Sequence, residues 1–223
     1  MTSALGVPEI DELWRAIDYE VTWLHGRWTI YRQLYGTSPD RVDVLNKAAG
    51  TFAAMLQDVL LEDVQLGLAK LGDPAASRVG RETFENLTLR TLSEKVIATG
   101  ALVAELPLLI GAYDSACVKI KERRNKRIAH FDLNTMLKKS EASLPGPSRA
   151  EIESALDALR KFMNCISLHF TGNNVAYEEV ILNSDGDSLI SVLKKGLRYR
   201  ELVRAGEITH DDLRKSTTSP HSE

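Results

Sequence analysis

Lys119-Ile-Lys-Glu-Arg-Arg-Asn-Lys-Arg-Ile-Ala-His-Phe-Asp-Leu133 ends a long helical pattern and crowds Lys119, Lys121, Arg123, Arg124, Lys126 and Arg127 ahead of His130. Upstream of it, Leu109, Ile110, Tyr113, Cys117 and Ile120 recur at three- and four-residue spacing, as on the buried face of a helix. Proline is tolerated only in a first turn, so Pro107 sets the start and the spacing predicts a helix over about residues 107–131. Cations favour a helix C-terminus, and a solvated basic helix end is the plain reading of the cluster. The histidine among the arginines gives it a chemical reading as well.

Metal-free cleavage of RNA needs one group to take the 2′-OH proton, another to protonate the leaving oxygen, and a cation over the phosphate as charge builds. Histidine titrates near neutral pH and can move the protons. Arginine stays charged and offers a planar fork that matches phosphate oxygens. One chain supplies a single such histidine, whereas two facing copies supply two. At about 100° per residue, Arg124 and His130 fall about 120° apart on a straight helix, and Arg123 falls only about 20° from His130. Lys126 and Arg127 are also neighbours of His130. An unbroken helix therefore favours Arg123 as the partner of His130.

The run Arg124-Asn125…Ala129-His130-Phe131-Asp132 resembles the Arg-Asn-x-x-x-Ala-His motif of HEPN domains. These are small helical bundles of toxin–antitoxin and abortive-infection systems, many of them RNases. Leu71-Gly-Asp-Pro followed by Asn86-Leu-Thr-Leu resembles the abortive-infection U-type branch of the same group, which extends the likeness over roughly residues 40–135. The resemblance implies a metal-independent endoribonuclease acting as a toxin or phage-defence effector. His130 would be its acid/base, and Arg124 would stabilise the phosphorane. Using Arg124 requires a helix bend or a partner chain, and Arg123 is kept as its substitute. Asn125 would hold the site's geometry or bind substrate. Asp132 would either orient the imidazole or simply begin the next loop, and Arg123, Lys126 and Arg127 would meet the substrate. The implied partners are RNA, a second copy in a homodimer, and an antitoxin or another defence-system component, with no metal and no cofactor. The alternative is a non-catalytic module that binds RNA, a nucleotide or a protein through the same basic helix end, with His130 as packing. Some HEPN proteins carry a modifiable tyrosine two residues after the motif histidine. Asp132 stands there in this chain, so that form of control is not supported.

Composition bounds these readings. At 223 residues, 43% hydrophobic and 26% charged, the chain is that of an ordinary globular domain. A net charge of −3 makes any nucleic-acid contact local, and 119–127 reads as the one concentrated basic patch. Cys117 and Cys165 match neither a zinc spacing nor a disulfide framework and read as buried thiols in a reducing, cytoplasmic setting. The N-terminus shows no secretion signal. The most apolar run, Ala101–Ala112, is too short to span a bilayer and carries Glu105.

Along the chain, Pro8 opens a helix to about Tyr35 with a core stripe through Leu13, Ile17, Val21, Leu24, Trp28 and Tyr31. A second helix covers roughly Pro39–Leu71, with Leu45, Ala49, Phe52, Leu56, Val59, Leu60, Val64 and Leu68 in period; Gly50 and Gly67 inside it point to close packing. Residues 72–86 read as an irregular loop, and Asn86-Leu-Thr-Leu opens a segment to about Thr99. Residues 133–147 read as a linker. Ser148-Arg-Ala-Glu151 is a capping box opening a helix over about 148–170, and Asp187 is placed to cap a last helix over 188–204. Asn183-Ser-Asp-Gly-Asp lacks the ligand spacing of a calcium loop. His25, His169, His210 and His221 have no metal-spaced partners. The expected fold is all-α, an up-down bundle of about five or six helices in one domain over residues 1–205, followed by a polar, disordered tail over 206–223.

Overall fold

The structure, a computed structural model of the chain, describes residues 6–128, 146–209 and 211, the side chains of Arg127 and Ile128 excepted. The described residues form an all-α protein with one small hairpin. Its elements are α1 (Pro8–Tyr31), α2 (Pro39–Leu71), β1 (Ala76–Val79), β2 (Glu82–Glu85), α3 (Leu89–Ala98), α4 (Glu105–Ala116), α5 (Val118–Arg123), α6 (Arg149–Thr171) and α7 (Gly186–Arg204). Turns of π-helix follow α1 at Arg32–Gly36 and α5 at Arg124–Ile128, and a 3-10 turn covers Tyr177–Glu179. No helix among the described residues is long and apolar enough to cross a membrane. The chain divides into two compact units, Met1–Trp28 with Val59–Ile181, and Thr29–Asp58 with Leu182–Glu223.

In the first unit, Ile17, Val21, Leu24 and Trp28 of α1 are buried with Val64 and Leu68 of α2, as their spacing predicts. Gly67 is there for closeness, since a Cβ on it would stand 2.9 Å from Leu24 Cδ1. Helix α6 starts at the expected capping box: the Ser148 side chain accepts from the Glu151 N–H, and the Glu151 carboxylate accepts from the Ser148 N–H. It buries Ile152, Leu156, Leu159, Phe162, Met163 and Ile166, and α4 lies against it. On α4 the buried residues are Leu106 and Tyr113, and Leu109 and Ile110 are only half-buried.

Residues 72–86 are not the irregular loop that their glycines and charges predict. β1 and β2 pair antiparallel from Ala76↔Glu85 to Val79↔Glu82, leaving Gly80-Arg81 as a two-residue turn with Gly80 at φ 64°. Every strand residue is exposed, so no apolar alternation advertises the pair. The signal that could have found it is two short runs separated by a two-residue, glycine-containing turn.

His25 is buried. Its Nδ1 lies 2.9 Å from the Val21 carbonyl oxygen, which can only accept, so Nδ1 carries the proton. Nε2 then accepts from Arg160 at 3.3 Å, and the ring stacks on Tyr177. Burial, joined by the Arg160 charge, pushes the imidazole below its usual titration range, against the Val21 bond and the nearby Glu178 and Glu153 carboxylates. Between that depressed value and about 6.5 the unfolded chain holds a proton at His25 that the folded chain does not. Stability is therefore full above about pH 6.5 and is lost as the pH falls toward the folded value. Urea midpoints measured from pH 7.5 to 5 should fall more steeply for the wild type than for His25→Gln; parallel curves would remove His25 as the cause.

In the second unit, the α-helix ends at Tyr31, short of the expected Tyr35, and the π turn carries Tyr35 inward, where its hydroxyl donates to the Ala53 carbonyl at 2.8 Å. Helix α2 has the expected span, but Ala49 breaks it with φ −160° and ψ 66°. The break rotates the face that Leu45 begins. Ala53 is buried in place of Phe52, and Phe52 and Val59 are 65% and 61% exposed, against the single stripe expected. Close packing does not account for Gly50, since among the described residues a Cβ there would meet only Asn46 Oδ1, at 3.9 Å. Helix α7 begins two residues early, because its cap is Asp185, whose carboxylate accepts from the Ser188 N–H, and not Asp187. Asp187 pairs instead with Arg41.

Candidate functional site

The segment that carries the basic cluster lies wholly in the first unit. Helix α4 stops at Ala116, Cys117 interrupts it, α5 resumes at Val118, and the backbone widens into a π turn at Arg124. In such a turn hydrogen bonds run from i to i+5, and the form is frequent at functional sites. The α-helical arithmetic that pairs Arg123 with His130 therefore ceases to hold beyond Arg124. His130 and Asp132, with the end of the expected 107–131 helix and most of the 133–147 linker, lie outside the described residues.

Arg124 is held from two sides. Its Nη1 donates to both carboxylate oxygens of Asp73, at 2.8 and 2.7 Å, and its Nε donates to Asn125 Oδ1 at 2.9 Å. Asp73 belongs to the turn that ends α2, where Gly72 and Asp73 donate their N–H groups to the Ala69 and Lys70 carbonyls. That turn is clamped to the motif segment a second time. Lys121 Nζ donates to the Gly72 carbonyl at 3.0 Å and to Asp114 at 2.7 Å, and Arg90 of α3 pairs with the same Asp114. Burial alone would raise the Asp114 carboxyl, but Lys121 and Arg90 outweigh it and hold the group below its ordinary value. The buried Tyr113 hydroxyl donates to the Leu68 carbonyl at 2.5 Å, closing the same corner.

The turn is also tied to α3. Asn86 donates from its side chain to the Pro74 carbonyl at 2.9 Å and from its backbone to the Ala75 carbonyl at 2.7 Å. Thr91 Oγ1 donates to the Asn86 carbonyl, and Thr88 caps α3 by accepting from the Thr91 N–H. Leu71-Gly-Asp-Pro and Asn86-Leu-Thr-Leu thus meet at the base of the hairpin, and the first of them grips Arg124.

The basic cluster is largely compensated. Lys119 pairs with Glu151 at 2.6 Å, Lys126 with Glu122 at 2.8 Å, Lys121 with Asp114, and Arg124 with Asp73. Glu151, bonded by Lys119 and Ser148, titrates at about 2. The Arg123 guanidinium turns toward Gly146, whose Cβ would stand 3.0 Å from its Nη1. Asn125 and Lys126 are exposed. Cys117 is buried, which lifts its thiol to about 11 and leaves it a packing group, and Cys165 is half-buried. Sequence reasoning gave Asp73 no chemical part and passed over Asp114; the marker was Asp73's place inside a stretch already singled out as a family likeness.

This geometry gives the comparisons with known proteins their context. The sequence profile HEPN_AbiU2 (AbiU2) matches residues 8–189. No curated protein and no solved structure matches the chain significantly. The profile covers most of the chain, including the α2–α3 corner and the segment that carries the Arg-Asn-x-x-x-Ala-His pattern. The chain belongs to the AbiU2 family of HEPN domains.

Proposed function

We propose that the protein is a metal-independent endoribonuclease serving as a toxin or phage-defence effector. The observation that carries the reading is the fixed guanidinium of Arg124. Asp73 and Asn125 bind its Nη1 and Nε at a π turn six residues before His130, which fixes the plane of the guanidinium. A positioned cation stabilises charge that develops on a phosphorane better than a mobile one does. In this reading His130 accepts the 2′-OH proton as the 2′ oxygen attacks phosphorus. The P–O5′ bond breaks, and the leaving oxygen takes its proton from the histidine of a second copy. A 2′,3′-cyclic phosphate and a 5′-hydroxyl result. Asn125 supports Arg124, Asp132 supports His130, and Arg123, Lys126 and Arg127 line the substrate path. The homodimer follows from two proton transfers shared between single histidines, and an antitoxin or another defence component is the partner that would hold the activity in check.

The test is cleavage of a mixed tRNA and mRNA pool in EDTA, with folding checked by circular dichroism and mass by light scattering. The wild type should be a dimer that leaves cyclic phosphate ends. His130→Ala should be folded and bind RNA but leave it intact. A well-folded wild type that binds RNA without cutting it would turn the reading into that of a binding module.

A further inference from the structure

The most basic stretch of the sequence is mostly spent on internal ion pairs. The C-terminal half of α7, in the second unit, is the reverse. Between Lys194 and Arg204 five cations stand against one acid, Glu201. Among the described residues Lys194 and Arg204 make no ion pair, and Arg198 meets Glu201 at 3.3 Å with both side chains well exposed. Helical spacing places Lys194, Leu197, Arg198, Glu201 and Arg204 on one side, with Arg200 at its edge, and turns Lys195 about 100° away. That side forms one wall of a groove of about 370 Å³, whose other wall is Val44 and Lys47 of α2. Arg200 Nη2 donates to the Lys47 carbonyl at 2.8 Å and joins the two walls.

We propose that this groove binds the phosphodiester backbone of a single nucleic-acid strand. Ten residues of helix separate Lys194 from Arg204, so the cations are strung over about 15 Å. An array of that length suits a chain of phosphates better than one converging anionic group. The groove brings Leu197 and Val44 to the cations, and a shallow hollow lined by Ala48, Val192 and Leu193 adjoins it, giving apolar area for sugar or base faces. Contacts to phosphates carry no sequence information, so binding through this array of cations depends little on base sequence. An acidic peptide fits less well. Peptides are specified by a free strand edge or by side-chain pockets, and both walls here are helices. The inference rests on the groove and not on cleavage.

Fluorescence anisotropy on the full chain tests it, using a labelled 12-nucleotide 2′-O-methyl RNA that cannot undergo 2′-OH attack. Parallel arms use DNA of the same sequence and an oligoglutamate of the same length. Four phosphate contacts give a slope of log K against log salt of about −3, and Lys194→Ala/Arg204→Ala should flatten it by about 1.4. The same pair should weaken binding at least about tenfold at low salt. Arg78→Ala/Arg81→Ala on the hairpin, with the same loss of charge, should change neither. Ultraviolet crosslinks to the wild type should fall on the peptide over 194–204. RNA and DNA binding alike identifies the phosphate chain as what is held, and binding of RNA alone adds the ribose. An unchanged Lys194→Ala/Arg204→Ala variant, an equal loss in the hairpin variant, crosslinks elsewhere, or oligoglutamate binding as tightly as RNA would each overturn the proposal. Because the probe cannot be cleaved, a failure here leaves the ribonuclease reading standing, and a failure of cleavage leaves the groove standing.

Discussion

Arg124→Ala should lower RNA cleavage about 100- to 1000-fold with little change in circular dichroism. Removing one preorganised donor from a developing oxyanion costs that much in enzymes that depend on such donors. The fold should bear the loss, because Asp73, left without its partner, is partly exposed and can be hydrated. Arg124→Lys should not rescue activity. A lysine keeps the charge but has no planar fork with which to hold Asp73, Asn125 and a phosphate together. Asp73 acts by positioning Arg124. Asp73→Asn should lower kcat about tenfold with KM nearly unchanged, since a misaligned group costs rate more than binding. In the background of Arg124→Ala the same change should do almost nothing, because Asp73 acts only through Arg124. Additive losses would make Asp73 a structural residue. Full activity of a folded Arg124→Ala variant would return the role to Arg123, whose own substitution then becomes the decisive one.

How much of this was legible beforehand depends on which interactions are local. Helix α6 was readable in full, because the two members of its capping box, Ser148 and Glu151, lie three residues apart and its core positions repeat along one face. Helix α2 was readable in extent but not in exposure. The backbone break at Ala49 shifts the buried face to Ala53 and leaves Phe52 outside, and a periodicity count does not register a rotation inside one helical run. The hairpin escaped because its strands are exposed on both faces, so there is no alternation to see. The sequence pointed to Asp187 as the cap of α7, and the cap is Asp185. What separates them is tertiary: Gln33 binds Asp185 and the Gly186 N–H, and Arg41 takes Asp187. In the site, the motif residues declared themselves by chemistry, but the partner of Arg124 lies 51 positions away in a turn whose composition says only that the chain bends. The pairing of Lys119 with the distant Glu151 was invisible for the same reason, whereas Lys126 and Glu122 are a local i,i+4 pair; the groove on α7 was hidden too, because it needs Lys47 from another helix.

Gly72→Val should destabilise the protein by about 2 kcal/mol, lowering the melting temperature by about 4–8 °C. The reason is space and not backbone angle. A Cβ at position 72 would stand 2.9 Å from Lys121 Nζ and 3.0 Å from both Lys121 Cε and Tyr113 Cε1. The ammonium can swing away, at the cost of its bonds to the Gly72 carbonyl and to Asp114. The Tyr113 ring cannot, because it is fully buried and its hydroxyl is fixed on the Leu68 carbonyl. Alanine at this position should cost less than valine, since it adds a single methyl and stiffens the unfolded chain. Gly111→Ala, in the interior of α4 with no described atom within 4 Å of the new methyl, should move stability the opposite way by up to about 1 kcal/mol. Opposite signs at two glycines would show that close approach, and not glycine content, fixes the Leu71–Asp73 turn. The same substitution reaches the chemistry, because the turn that yields to a valine carries Asp73. Gly72→Val should therefore lose cleavage below its melting temperature in step with Asp73→Asn. A stable, fully active Gly72→Val variant would mean that the turn is not clamped to the motif segment, and that Arg124 is oriented by something else.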